Sequence, residues 1–91
     1  MTGPVRMDIL ATWSCPKTAC RKGNPRKEEW RTKRPDADNV AKAICDALNG
    51  VAFDDDSQVV DLCVMKRQAA QGLPPDVIVV ISEITSMKGD R

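Results

Sequence analysis

The sequence predicts an α+β fold: a small mixed sheet of about three to four strands with one main helix packed on it. Three stretches predict it. Residues 5–13 (VRMDILATW) alternate apolar and polar side chains with a period of two, as a half-buried strand does. Residues 37–49 carry Val40, Ile44, Ala47 and Leu48 at helical spacing, widened by Ala41 and Cys45. Residues 76–84 (DVIVVISEI) form a near-continuous apolar run, the pattern of a strand buried on both faces.

Taken in order, residues 1–4 are a ragged start. The first strand points Val5, Met7, Ile9, Ala11 and Trp13 inward, with Leu10 out of pattern. Residues 14–33 contain Pro16, Gly23 and Pro25 and read as a long loop, with a helical turn near residues 26–30. Trp30 in that loop is read first as packing against the domain, and second as a platform for a stacked base. Pro35 and Asp36 are a helix-start signal, because a carboxylate there can cap free N–H groups and favours the positive helix end. Gly50 is the expected C′ stop. Residues 51–53 read as a short extended piece and residues 54–56 as a turn. A second strand over residues 58–65 would turn Val60, Leu62 and Val64 inward. Residues 69–75 form a loop with Gly72, Pro74 and Pro75, and residues 87–91 form a frayed tail.

The chain has 91 residues, which fits one domain with a modest core. Its formal net charge of +1 hides an asymmetry. Residues 17–34 hold Lys17, Arg21, Lys22, Arg26, Lys27, Arg31, Lys33 and Arg34 against Glu28 and Glu29, while the remainder is acidic. Such a basic run is commonly a solvated loop; beside an acidic cluster it also suits a polyanion held by one and cut, or metal-bridged, at the other. No apolar run approaches the roughly 18 residues of a membrane span, and no signal peptide is visible. Of the 4 cysteines, Cys45 and Cys63 read as small core residues. Cys15 and Cys20 have no second pair to complete a zinc site. Reduced thiols and a cytoplasmic setting are expected. The absence of histidine removes Ser-His-Asp and Cys-His nucleophiles and histidine–metal nucleases.

Chemistry concentrates in residues 34–58, RPDADNVAKAICDALNGVAFDDDSQ. Asp36 and Asp38 begin the helix. Lys42 lies one turn beyond Asp38, on the same face. The polar stripe is Asn39, Lys42, Asp46 and Asn49, and Asp54, Asp55 and Asp56 precede the second strand. Singly, each aspartate reads as a cap or a turn residue. Together, carboxylates at both ends of one helix-plus-turn can meet, and mutual repulsion then calls for a cation. Oxygen donors suit Mg²⁺ or Mn²⁺. A metal-dependent phosphoryl-transfer site and a purely structural role both remain open on spacing alone. An EF-hand is disfavoured, because counting from Asp54 its glycine position is Val59.

The pattern R-P-D-x-D-N-x-x-K-x-x-x-D-A-L-N-G followed by D-D-x-Q-V resembles the RusA family of Holliday junction resolvases. The resemblance is close over residues 35–60 and weaker in the opening GPVRMDI. It implies a dimeric, Mg²⁺-dependent endonuclease that cuts branched DNA symmetrically, leaving 5′ phosphate and 3′ hydroxyl ends. It assigns Asp36, Asp38 and Asp56 as metal ligands, with Asp55 the alternative to Asp56, and Lys42 as the catalytic lysine. It leaves Asp54 without a role. The basic residues 17–34 would hold duplex backbone. Family members usually carry a further strand and a Pro- and Arg-rich segment before GPVRMDI. A shortened single RusA-like domain over residues 1–91 is therefore expected, and the alternative function is a catalytically inactive module that binds junction DNA.

Overall fold

The computed structural model describes residues 2–84; Met1 and the tail expected at residues 87–91 lie outside the described residues. Four strands and one helix follow in the order β1 (Val5–Trp13), β2 (Glu29–Trp30), α1 (Ala37–Leu48), β3 (Val59–Gln68) and β4 (Asp76–Glu83). They build one mixed sheet in the order β2-β3-β1-β4. β1 runs parallel to β3 and antiparallel to β4, and β2 is antiparallel to β3. A parallel pair needs a crossover, and α1 lies within the one that joins β1 to β3. The α+β class and the helix-on-sheet arrangement are as the sequence predicts.

β1 forms the centre because its alternation is clean. Val5, Met7 and Ile9 are fully buried and Ala11 nearly so. The helix lays Val40 on them, flanked by Ile44, Cys45 and Leu48, and also buries Ala41. Phe53, only 1% exposed, completes the cluster. Asp36 occupies the N-cap, with its carbonyl accepting the Val40 N–H at 3.1 Å. Asn49 is the C-cap, and Gly50 follows at φ +78, a left-handed conformation that glycine adopts without steric penalty.

Several expectations fail for physical reasons. Val60 is 63% exposed and does not point inward. Leu62 pairs with buried Met7 on the helix-covered face but stays 44% exposed, because it borders an open hollow rather than the packed core. Val5 pairs with Val59 but Arg6 pairs with Asp61, so an irregularity at Val60 resets the alternation and Val59 takes its place on the core, while Val64 packs there as expected. β4 is an edge strand, and Val77, Ile78 and Val80 are about half exposed rather than buried on both faces. Cys63 is exposed on the helix-free face, and Ala47 lies outside the helix's buried stripe. Residues 51–53 form a turn, in which the Val51 and Ala52 N–H groups donate to the Leu48 carbonyl at 2.9 and 3.0 Å. The helical turn expected near residues 26–30 is absent. A 3-10 turn forms at Lys17–Ala19, and β2 pairs with β3 through Glu29↔Gln68 and Trp30↔Arg67.

Truncating Phe53 should expose this dependence. Phe53→Ala is expected to cost about 3–5 kcal/mol in urea denaturation. Val51→Ala, at a residue 80% exposed in the same turn, should stay within about 0.5 kcal/mol. Equal losses would show that Phe53 is not the anchor.

Candidate active site

The helix and the turn after it enclose a hollow of about 420 Å³, lined by Asp38, Lys42, Cys45, Asp46, Asp56 and Leu62 among others. Asp38, Lys42 and Asp46 stand at four-residue intervals on α1, so one helix face presents all three. Asp56 comes from the 3-10 turn Asp56–Gln58 that leads into β3. Gly50 reverses the chain, the Gly50 N–H donates to the Phe53 carbonyl at 2.7 Å, and buried Phe53 ties the turn to the core. The acidic turn is thereby held against the helix.

The individual aspartates differ. Asp36 occupies the N-cap position, yet its carboxylate makes no capping bond and it does not line the hollow. Asp38 Oδ1 accepts the Asn39 N–H at 3.0 Å. Asp55 is engaged structurally: its Oδ2 accepts the Ser57 hydroxyl at 2.5 Å, and Gln58 Oε1 accepts the Asp55 N–H at 2.8 Å in a reciprocal capping box. The Ser57 hydroxyl is the main reason the Asp55 carboxyl lies below its usual value. Gln58 Nε2 also donates to the Gly3 carbonyl at 2.8 Å, pinning the start of the chain to this turn. Asp54 is exposed and lies outside the hollow. The structure thus brings together Asp38, Lys42 and Asp56, leaves Asp36 and Asp55 off the lining, and adds Asp46. Asp46 was legible as a member of the polar helix stripe but was assigned no role.

Three carboxylates against one ammonium leave the lining with a formal charge of minus two. Lys42 forms no ion pair among the described residues. The Cys45 thiol senses the field: burial raises its pKa first, then the carboxylates of Asp56 and Asp46. The oxygen donors suit a hard divalent cation. Among the described residues no three acidic side chains converge as a ready cage. Mg²⁺ commonly takes only one or two carboxylates and completes its shell with water and phosphate oxygens, so the donors fit that ion.

The eight expected DNA-contacting cations divide into two groups. Arg26 Nε donates to the Ala19 carbonyl at 2.7 Å, and the Arg31 guanidinium donates to the Arg34 carbonyl and sits 4.7 Å from the Trp13 ring centroid. Lys17, Arg21, Lys22, Lys27, Lys33 and Arg34 are exposed. Their loop is not loose. Gln71 Oε1 accepts the Arg21 and Arg26 N–H groups at 2.9 and 3.2 Å, and Lys66 Nζ donates to the Lys33 carbonyl at 2.8 Å. Among the described residues no helix is long and apolar enough to cross a membrane.

The chain is an α+β domain with an acidic, lysine-bearing hollow on its helix-backed mixed sheet and a separate braced cationic loop. The model of the family "Endodeoxyribonuclease RusA" matches residues 1–82, and the chain belongs to that family. The chain is also 36% identical over 91 residues to "Uncharacterized protein YqaN" of Bacillus subtilis (strain 168), across 94% of this chain and 62% of that protein. It therefore spans less than two thirds of that relative's length. No solved structure matches it.

Two titrations check this geometry. Ser57→Ala should raise the Asp55 carboxyl pKa toward its ordinary value, read by carbon-detected NMR. Because the folded value is depressed, the Asp55–Ser57 contact favours folding above the unfolded carboxylate range, and its contribution disappears as pH falls through the folded value. With Cys15, Cys20 and Cys63 replaced by serine, Asp56→Asn should lower the Cys45 pKa and speed its alkylation near pH 8. An unchanged rate would separate Asp56 from the hollow.

Proposed function

We propose that this chain is a Mg²⁺-dependent, structure-selective endonuclease that resolves Holliday junctions by symmetric phosphodiester hydrolysis, in a cytoplasmic setting of DNA recombination and repair. The observation that carries the reading is that Asp38, Lys42, Asp46 and Asp56 line one hollow whose formal charge is negative and not compensated by an ion pair among the described residues. Membership of an endodeoxyribonuclease family supplies the substrate class. Asp38 and Asp56 would hold the ion, and Asp36 at the helix start, which does not line the hollow, is a ligand by the family resemblance alone. Asp55, already committed to Ser57, is the weaker candidate. Bound there, Mg²⁺ or Mn²⁺ supplies Lewis-acid activation of water and neutralises charge at the phosphate. The Lys42 ammonium, free of ion pairs among the described residues, offsets the negative charge that grows on the non-bridging phosphate oxygens as bonds to phosphorus change. The exposed cations of the braced loop hold duplex backbone without reading bases, which makes affinity fall with salt. Homodimerisation would present two such sites to opposing strands. Its support is an apolar patch on the helix-free face, where Leu10 lies between Met65 and Ile78, which are 40% and 49% exposed.

One observation favours a second reading, a module that binds branched DNA without cutting it: no three carboxylates converge among the described residues. A synthetic four-way junction separates the two. The nuclease reading expects nicking with Mg²⁺, a loss on the order of 10²-fold or more in Asp38→Asn and Asp56→Asn, and little change in Asp54→Asn. Mg²⁺ should also raise the thermal midpoint of the wild type, equivalent to about 2.7 kcal/mol at a hundred times its dissociation constant, and do so less in Asp38→Asn. Junction binding with no cleavage under any divalent ion would establish the binding module instead.

A further inference from the structure

The chain has 2 tryptophans and 1 phenylalanine. Phe53 is buried in the core, and the Trp13 ring is covered by the Arg31 guanidinium. Trp30 is 66% exposed, and its indole makes no hydrogen bond or ring contact among the described residues. An exposed tryptophan forgoes burial of roughly 150–250 Å² of surface. A tryptophan on a slack loop would fold down onto apolar surface. Trp30 is not on one: β2 pairs it with Arg67, and the next N–H, that of Arg31, donates to the Lys66 carbonyl at 2.9 Å. The backbone therefore holds the ring outward at the sheet edge.

Its surroundings are cationic. Trp30 borders a groove of about 230 Å³ together with Arg26, Arg31 and Lys33. Arg26 is engaged by Ala19 and Glu29, and Arg31 by the Arg34 carbonyl and the Trp13 ring, so exposed Lys33 is the cation of the three left to meet a phosphate. A rigid aromatic face beside an exposed cation matches a nucleotide whose base stacks on the ring while its phosphate meets the charge. The bases of a continuous duplex already stack on each other and offer no free face; a base at a branch point can. Pairing with Arg67 turns Trp30 toward the helix-free side of the sheet edge, away from the acidic hollow.

We propose that Trp30 is a specificity-determining residue that stacks on an unpaired or splayed base and so distinguishes branched DNA from continuous duplex. This rests on the reading of the chain as a DNA-binding nuclease. The test uses the full chain in the absence of divalent metal, titrated with a four-way junction and with a long linear duplex. In a Trp13→Phe background, Trp30 emission should be quenched by the junction and not by the duplex. Trp30→Ala should weaken junction binding by about 10- to 100-fold. It should leave duplex affinity and the thermal midpoint unchanged, and Trp30→Phe should recover most of the loss. A wild type that binds and cuts the junction while Trp30→Ala does so equally overturns the stacking role and leaves the nuclease reading standing. Equal losses on both DNAs overturn it as well. Trp30 emission that shifts with protein concentration alone assigns the ring to a contact between copies and overturns it. A wild type that binds neither DNA overturns both readings.

Discussion

The arrangement depends on the burial of Phe53. Leaving α1, the chain has spent its helical hydrogen bonds and could run off in any direction. Gly50 lets it reverse, the Leu48 carbonyl accepts two N–H groups of the turn, and Phe53 enters the cluster formed by Val5, Met7, Ile9 and Val40. That one side chain fixes the path of residues 54–58. Asp56 faces the helix because Phe53, three residues earlier, has nowhere else of comparable apolarity to go. The Asp55–Ser57–Gln58 hydrogen bonds then set the local shape of the turn.

Charge is distributed around this anchor with little internal compensation. The ion pairs among the described residues lie elsewhere: Arg6 bridges Asp8 and Asp61 on the sheet, and Arg26 and Arg67 meet Glu29 and Glu28. All involve well-exposed partners, where pairs contribute little to stability. The hollow keeps its negative charge and the loop keeps most of its positive charge. A fold that neutralised itself would have joined these two groups. With the loop braced by Gln71 and Lys66 and no ion pair joining the two groups among the described residues, each is left able to act on something external, a cation in one place and a polyanion in the other.

The same economy shows in the core. Few side chains are fully buried, and the sheet presents apolar residues on its uncovered face and along β4. The run DVIVVISEI and the strand VVDLCVM carry more apolar surface than one short helix can cover. Apolar content records a demand for burial; it does not name the element that meets it.

Local rules reached far in this chain. Period-two alternation located β1, the 3.6-residue repeat located α1, and proline, aspartate and glycine marked the helix ends, because each depends only on neighbours in sequence. The spacing of Asp38, Lys42 and Asp46 on one helix face follows from the same geometry. Tertiary structure decided what such rules cannot reach: the reset of register at Val60, the edge position of β4, the outward hold on Trp30, and the choice of Asp56 over Asp36 and Asp55 as the carboxylate lining the hollow beside the helix stripe. Each of these is set by pairing or packing between segments tens of residues apart, and only the folded chain brings those segments into contact.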